Sequence, residues 1–264
     1  MRLRRLVLAA LTGVACSQGG APAPPAPAGA QRAAPANGED LLRRMHDEYA
    51  TTWYATLTFV QTATFADGRT ETWYEALQLP GRLRIDVAPV TGGNATIFRN
   101  DSVFSFAGGK RERSGAFVHP LLVLGFDVYR APVEETIAKV RGFRVDLSKL
   151  HSSTWQGRPV WIVGADAGDS VSTQFWVDAE RLVFVRMLER RVPAGGLPEA
   201  APAFIDTRFN GYQRVGGGWI APEVLFFVNG RPRLREVYSD IRADVELPER
   251  LFEADEYRAP DWVK

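Results

Sequence analysis

The sequence predicts a mainly β, α+β domain. It is a single curved antiparallel sheet of about 11–12 strands, forming an unclosed half-barrel with helices over its concave face. Three observations predict it. From Trp53 onward most segments alternate apolar and polar residues with period two, the signature of half-buried strands. Gly-, Asp- and Pro-containing turn signals separate those segments, so neighbours join as hairpins in a meander. Only three stretches have helical spacing. A dozen meandering strands on this length must curl, and the helices then cover one face.

The elements follow in order. Asn37 is placed to cap a helix over 38–51, with Asp40 in its first turn and Leu41, Leu42, Met45 and Tyr49 on one side. The period then changes to two. Over 53–65 one face is apolar and the other is rich in hydroxyls. ADGR at 66–69 is a tight turn, and strands at 70–79 and 82–89 flank the Pro80-Gly81 turn, with Leu83, Ile85 and Val87 on one face. Short strands follow at 94–99 and 102–107. The glycine- and arginine-rich AGGKRERSG (107–115) lacks phosphate-loop spacing and reads as a mobile loop. Helices are expected over 119–126 and 132–142, the second starting at Pro132 and ending at Gly142. Strands resume at 144–155, 158–165, 170–178, 182–191, 204–214, 218–229 and 232–246. No repeat and no further boundary interrupts residues 38–264, so they are expected to form one domain.

The head of the chain is different. Arg2, Arg4 and Arg5 precede the short apolar run LVLAALTGVA (6–15). A bilayer span needs roughly 20 apolar residues, so residues 1–15 read as an export signal. Cys16, the single cysteine of the chain, follows at once. Gly13, Val14, Ala15 and Cys16 occupy the places of the bacterial lipoprotein pattern, with Gly13 where Leu is usual. Two cuts stay open: ordinary cleavage at or beyond Ala15, or lipidation of Cys16 as the first mature residue, which is the expected outcome. Residues 16–37 form a Pro/Ala-rich tether with no large apolar side chain to bury. Three of the 32 Lys+Arg precede Cys16, so a cut there leaves 29 against 31 Asp+Glu. That balance gives no basic field for nucleic acid.

No constellation argues for catalysis. His46, His119 and His151 do not fall at a metal spacing, and no G-x-S-x-G occurs. The adjacent Glu134 and Glu135 suit the first turn of a helix. No enzyme, metal or cofactor is therefore expected. Aromatic residues on the strands, including Trp161 and Phe184, either fill the core or line a cavity. The candidates for cavity lining are Trp53, Leu57, Phe59, Trp73, Leu83, Ile85, Phe98, Phe104, Phe106 and Phe175.

Four stretches carry a family likeness: FVQTATFADGR after the first helix, WYEALQLPGRLRIDV, FWVDAERLVFVRMLER, and VYSDIRADVELPERLFEADEY near the end. Over most of 38–257 the sequence resembles the LolA/LolB type of periplasmic lipoprotein carrier. That superfamily also includes mycobacterial lipid-carrying lipoproteins and the sensor domain of envelope-stress regulators. The resemblance implies an unclosed barrel with a helical lid and an apolar cavity that takes acyl chains of lipids or lipoproteins. It implies a monomeric carrier or acceptor on the periplasmic side of a bacterial envelope. The alternative is an envelope sensor or protein-interaction module on the same fold. Where the family often has Arg-Pro in a turn that helps hold the lid, this chain has Leu79-Pro80. Ser17 after the cysteine, in place of Asp, implies sorting to the outer membrane.

Overall fold

Alternation and turn chemistry give the order α1 (Gly38–Tyr49), β1 (Thr56–Phe65), β2 (Thr70–Gln78), β3 (Arg82–Val87), β4 (Ala95–Arg99), β5 (Ser102–Ala107), β6 (Lys110–Ala116), α2 (Pro120–Gly125) and α3 (Val133–Gly142). There follow β7 (Leu150–Trp155), β8 (Arg158–Val163), β9 (Gln174–Asp178), β10 (Phe184–Arg191), β11 (Ala203–Asn210), β12 (Gln213–Val215), β13 (Gly218–Ile220), β14 (Glu223–Val228) and β15 (Arg231–Ala243). This computed structural model describes residues 33–191 and 203–263. The stretch expected to be an export signal, and Cys16, lie outside the described residues. Residues from Pro35 onward form one unit.

Thirteen strands make one sheet in the order β6-β5-β4-β3-β2-β1-β15-β14-β11-β10-β9-β8-β7. Two antiparallel meanders flank β15, which pairs with β1 on one side and β14 on the other. The outermost strands, β6 and β7, do not pair with each other, so the sheet is an open half-barrel. Strands β12 and β13 form a separate ribbon. The helices cover the inner face. Asn37 caps α1 as expected, its side-chain oxygen accepting the Asp40 N–H at 2.9 Å.

Several expected strands are shorter or divided. The strand expected from Trp53 begins at Thr56, and the segment expected over 144–155 is strand only from Leu150. Arg144 has φ +63°, which breaks an extended run. The expected 204–214 strand ends at Asn210 because Gly211, at φ +71°, turns the chain into β12. The stretch expected to be a mobile loop contains β6, an edge strand whose residues are all exposed. It shows no apolar alternation because neither of its faces is covered.

Packing divides the inner face. On one side α1 presents Leu41, Leu42 and Met45, all fully buried, to the sheet. Trp53 stacks on Tyr129 with ring centroids 3.8 Å apart. A side chain on Gly217 would collide with the Thr52 carbonyl and one on Gly218 with the Trp53 ring, which explains the glycine run at 216–218. The outer face is covered near β2–β5 by the C-terminal segment, whose Leu247, Leu251 and Phe252 pack on Ala76. Arg84 of β3 is buried there with Asp86, bonded at 2.7 and 2.8 Å, and donates to the carbonyls of Leu251 (2.9 Å) and Arg258 (2.6 Å).

Candidate functional site: an apolar cavity under α2

Helix α2 is short, Pro120–Gly125. Beneath it, a cavity of about 250 Å³ lies against the inner face of β1, β2, β3, β11, β14 and β15. Strand parity builds its floor. Register partners Leu77↔Leu83 and Glu75↔Ile85 put alternate residues of β2 and β3 on the same face. Phe59, Trp73, Leu83 and Ile85, four of the ten residues named from the sequence, line it, and Leu121, Leu122 and Phe126 form its roof.

The other six candidates lie elsewhere. Trp53 and Leu57 are buried in the core under α1, and Phe175 is wholly buried in the second meander. Phe98 is on the inner face but packs edge-on against His119, ring centroids 4.8 Å apart, outside the cavity. Phe104 and Phe106 face outward, because their register partners Ile97 and Ala95 share the face of Arg84 and Asp86. Phe106 packs there on Tyr257 at 5.9 Å. The sequence shows which residues alternate but not which face a distant segment will cover.

The polar members of the lining had not been anticipated. Glu75, His119, Glu236 and Tyr238 all reach the cavity. Their signal was parity: Glu75 falls between Trp73 and Leu77, and Glu236 between Leu234 and Tyr238, on otherwise apolar strand faces. Burial pushes the Glu236 carboxyl up to about 7, against the hydrogen bond that the Tyr238 hydroxyl donates at 3.1 Å. Burial also raises Glu75 well above the usual range, and the charge of Glu236 adds to this. His119 serves as the helix cap: its Nδ1 accepts the Leu122 N–H at 3.3 Å. Burial holds its pKa down at about 4, so the ring is neutral.

Two hydrogen bonds tie down the segment that follows α2. The buried Asp127, just after α2, accepts the Gly81 N–H at 2.8 Å and so joins the lid to the Pro80-Gly81 turn. Arg130 donates to the Trp53 carbonyl at 2.8 Å. A wider hollow of about 540 Å³ is lined by Arg144, Asp146, Lys149 and Arg190 together with Val171 and Phe204.

No protein-family model matches the chain, and no curated relative aligns with it. Solved structures do. A DUF1329 family protein from Desulfovibrio piger aligns at TM-score 0.51 and 14% identity, over 82% of this chain and 95% of that one. A LolA superfamily protein from Nitrosomonas europaea aligns at TM-score 0.47 and 12% identity, over 83% and 98% of the two chains. A domain assigned to outer-membrane lipoprotein sorting, from Vibrio parahaemolyticus, aligns at TM-score 0.47 and 12% identity, over 80% and 94%. Identities this low speak to the fold alone. The fold shared with the DUF1329 protein is the open half-barrel that the sequence resemblance implied.

Proposed function

We propose that this protein is an exported, lipid-anchored component of a bacterial envelope, and that it binds acyl chains of lipids or lipoproteins in the cavity under α2. The observation that carries this reading is the cavity itself: about 250 Å³ of space walled by aromatic and aliphatic side chains and roofed by a short helix. A cavity of roughly 150 Å³ accepts benzene, and pockets for drug-sized ligands start near 300 Å³. This one therefore suits a single alkyl segment. Each methylene moved from water contributes about 0.8 kcal/mol, so a chain of modest length binds without specific polar contacts. Binding of this kind requires no catalytic group, and the protein acts as carrier or acceptor. Among the described residues no helix is long and apolar enough to cross a membrane. The lipid on Cys16 supplies the attachment in this reading, and the Pro/Ala tether holds the domain away from the bilayer.

Two measurements test it. Organic extraction of the purified protein, read by mass spectrometry, should release an alkyl-chain compound in near-stoichiometric amount. Consistent absence of any such compound, together with no uptake of added alkyl chains, contradicts the reading. Cys16→Ser should move the protein from the membrane to the soluble fraction. A variant that stays in the membrane fraction disproves the anchor.

A further inference from the structure

A cavity for plain alkyl chains needs no carboxyl groups, yet two point into this one. Glu75 on β2 and Glu236 on β15 flank β1, which carries Gln61 on the same inner face. Glu75, Glu236 and Gln61 are 6%, 8% and 1% exposed. Among the described residues Glu75 has no hydrogen bond, and the Gln61 amide has no neighbour to bond other than the Glu236 carboxyl. Glu236 receives the Tyr238 hydroxyl and lies beside the Gln61 amide, both of which favour its ion. No Lys or Arg among the described residues pairs with either carboxyl. Buried polar groups are ordinarily bonded, and a buried carboxylate without a counter-charge costs several kcal/mol. The floor thus holds a surplus of acceptors and a deficit of positive charge inside an apolar pocket.

Resting on the acyl-chain reading above, we propose that the cavity selects amphiphiles whose alkyl chain ends in a protonated amine, seated between Glu75, Glu236 and Gln61. An ammonium offers three donors and a positive charge; a cation beside buried carboxyls favours their ionised form, so Glu75, Glu236 and the Gln61 amide oxygen can accept from it. Ring faces add to the fit: Phe59 and Tyr238 stack at 4.2 Å beside the carboxyls, and aromatic faces attract cations. An anionic head group finds no counter-charge there, because no Lys or Arg among the described residues reaches the floor, so the arrangement discriminates as well as attracts. His119, the basic group on the lining, is neutral and has its Nδ1 engaged by Leu122, so it places no competing cation there.

The test uses octylamine, octanol and octanoate, three probes with one chain length and different ends, titrated calorimetrically at neutral pH. The protein should bind octylamine about tenfold or more tighter than octanol, with octanoate weakest. Glu75→Gln/Glu236→Gln keeps the side-chain shapes and should erase the preference for the amine over the alcohol. Glu75→Gln alone leaves the Tyr238–Glu236 bond intact and should weaken octylamine selectively. Equal binding of amine and alcohol by the wild type, or a preference that survives the double substitution, overturns the inference and leaves the acyl-chain reading standing. Failure of all three probes to bind overturns both.

Discussion

At Glu236 two effects oppose each other. Burial against the cavity raises the carboxyl's pKa, and the Tyr238 hydroxyl lowers it by bonding to the ion. Burial wins and moves the group from 4.5 to about 7. The folded state therefore holds this proton more tightly than the unfolded state does. Stability from this group is fully present below about pH 4.5 and is lost as the pH rises to about 7, a loss of about 3 kcal/mol. Glu236→Gln removes the titration. The variant should match the wild type in melting temperature near pH 5 and exceed it by about 5–10 °C near pH 8. Comparing the two proteins cancels the opposite trend from His119, whose lowered pKa costs stability as the pH falls below its ordinary value. A melting difference that does not change with pH contradicts the burial of this carboxyl. Such residues were legible in part: parity marks Glu75 and Glu236 as polar intrusions on apolar faces, but an intrusion on one strand does not reveal that a second lies two strands away. That requires the pairing of β1 with β15, which joins segments far apart in sequence.

At the scale of elements, two attachments control what the sheet carries. On the outer face Arg84 neutralises Asp86 and holds two carbonyls of the C-terminal segment, assisted by Arg99 on the Phe252 carbonyl (3.0 Å) and Arg111 on that of Ala254 (3.1 Å). Arg84→Ala leaves Asp86 buried and unpaired, which should cost about 3–5 kcal/mol. Residues 247–262 should then become sensitive to protease before the sheet unfolds. Retention of protection there would show that apolar packing alone holds the segment. On the inner face Asp127→Ala leaves the Gly81 N–H without its acceptor, a loss of about 1–3 kcal/mol. Amide exchange should accelerate over 119–131 with little change in β9 and β10, and uniform acceleration would contradict a locally tethered lid. The three helices, the cap at Asn37 and the main turns were legible because local spacing determines them. Strand β6 was not, because an edge strand exposed on both faces has no apolar periodicity to show. The division of the expected 218–229 strand at Ala221-Pro222 follows from proline's missing N–H, which ends one ladder before the next begins.

For the domain formed by residues 35–263, the open sheet creates a trough and the helices fill it unevenly. Leu41, Leu42, Trp53 and Tyr129 plug one part, while the short α2 leaves space above Leu77, Leu83 and Val224. That the sheet would bend and that helices would cover it could be argued from strand count and length. Where space remains could not, since it depends on how many turns each helix lays over each strand. The central claim is that this space receives an alkyl chain, and methyl-resolved NMR of the protein titrated with octanol tests it most directly. The account predicts saturable shifts at the methyls of Leu77, Leu83, Ile85, Leu122 and Val224, with those of Ile97, Leu247 and Leu251 on the outer face unchanged. An absence of shifts at the cavity methyls, or shifts confined to the outer face, would contradict it.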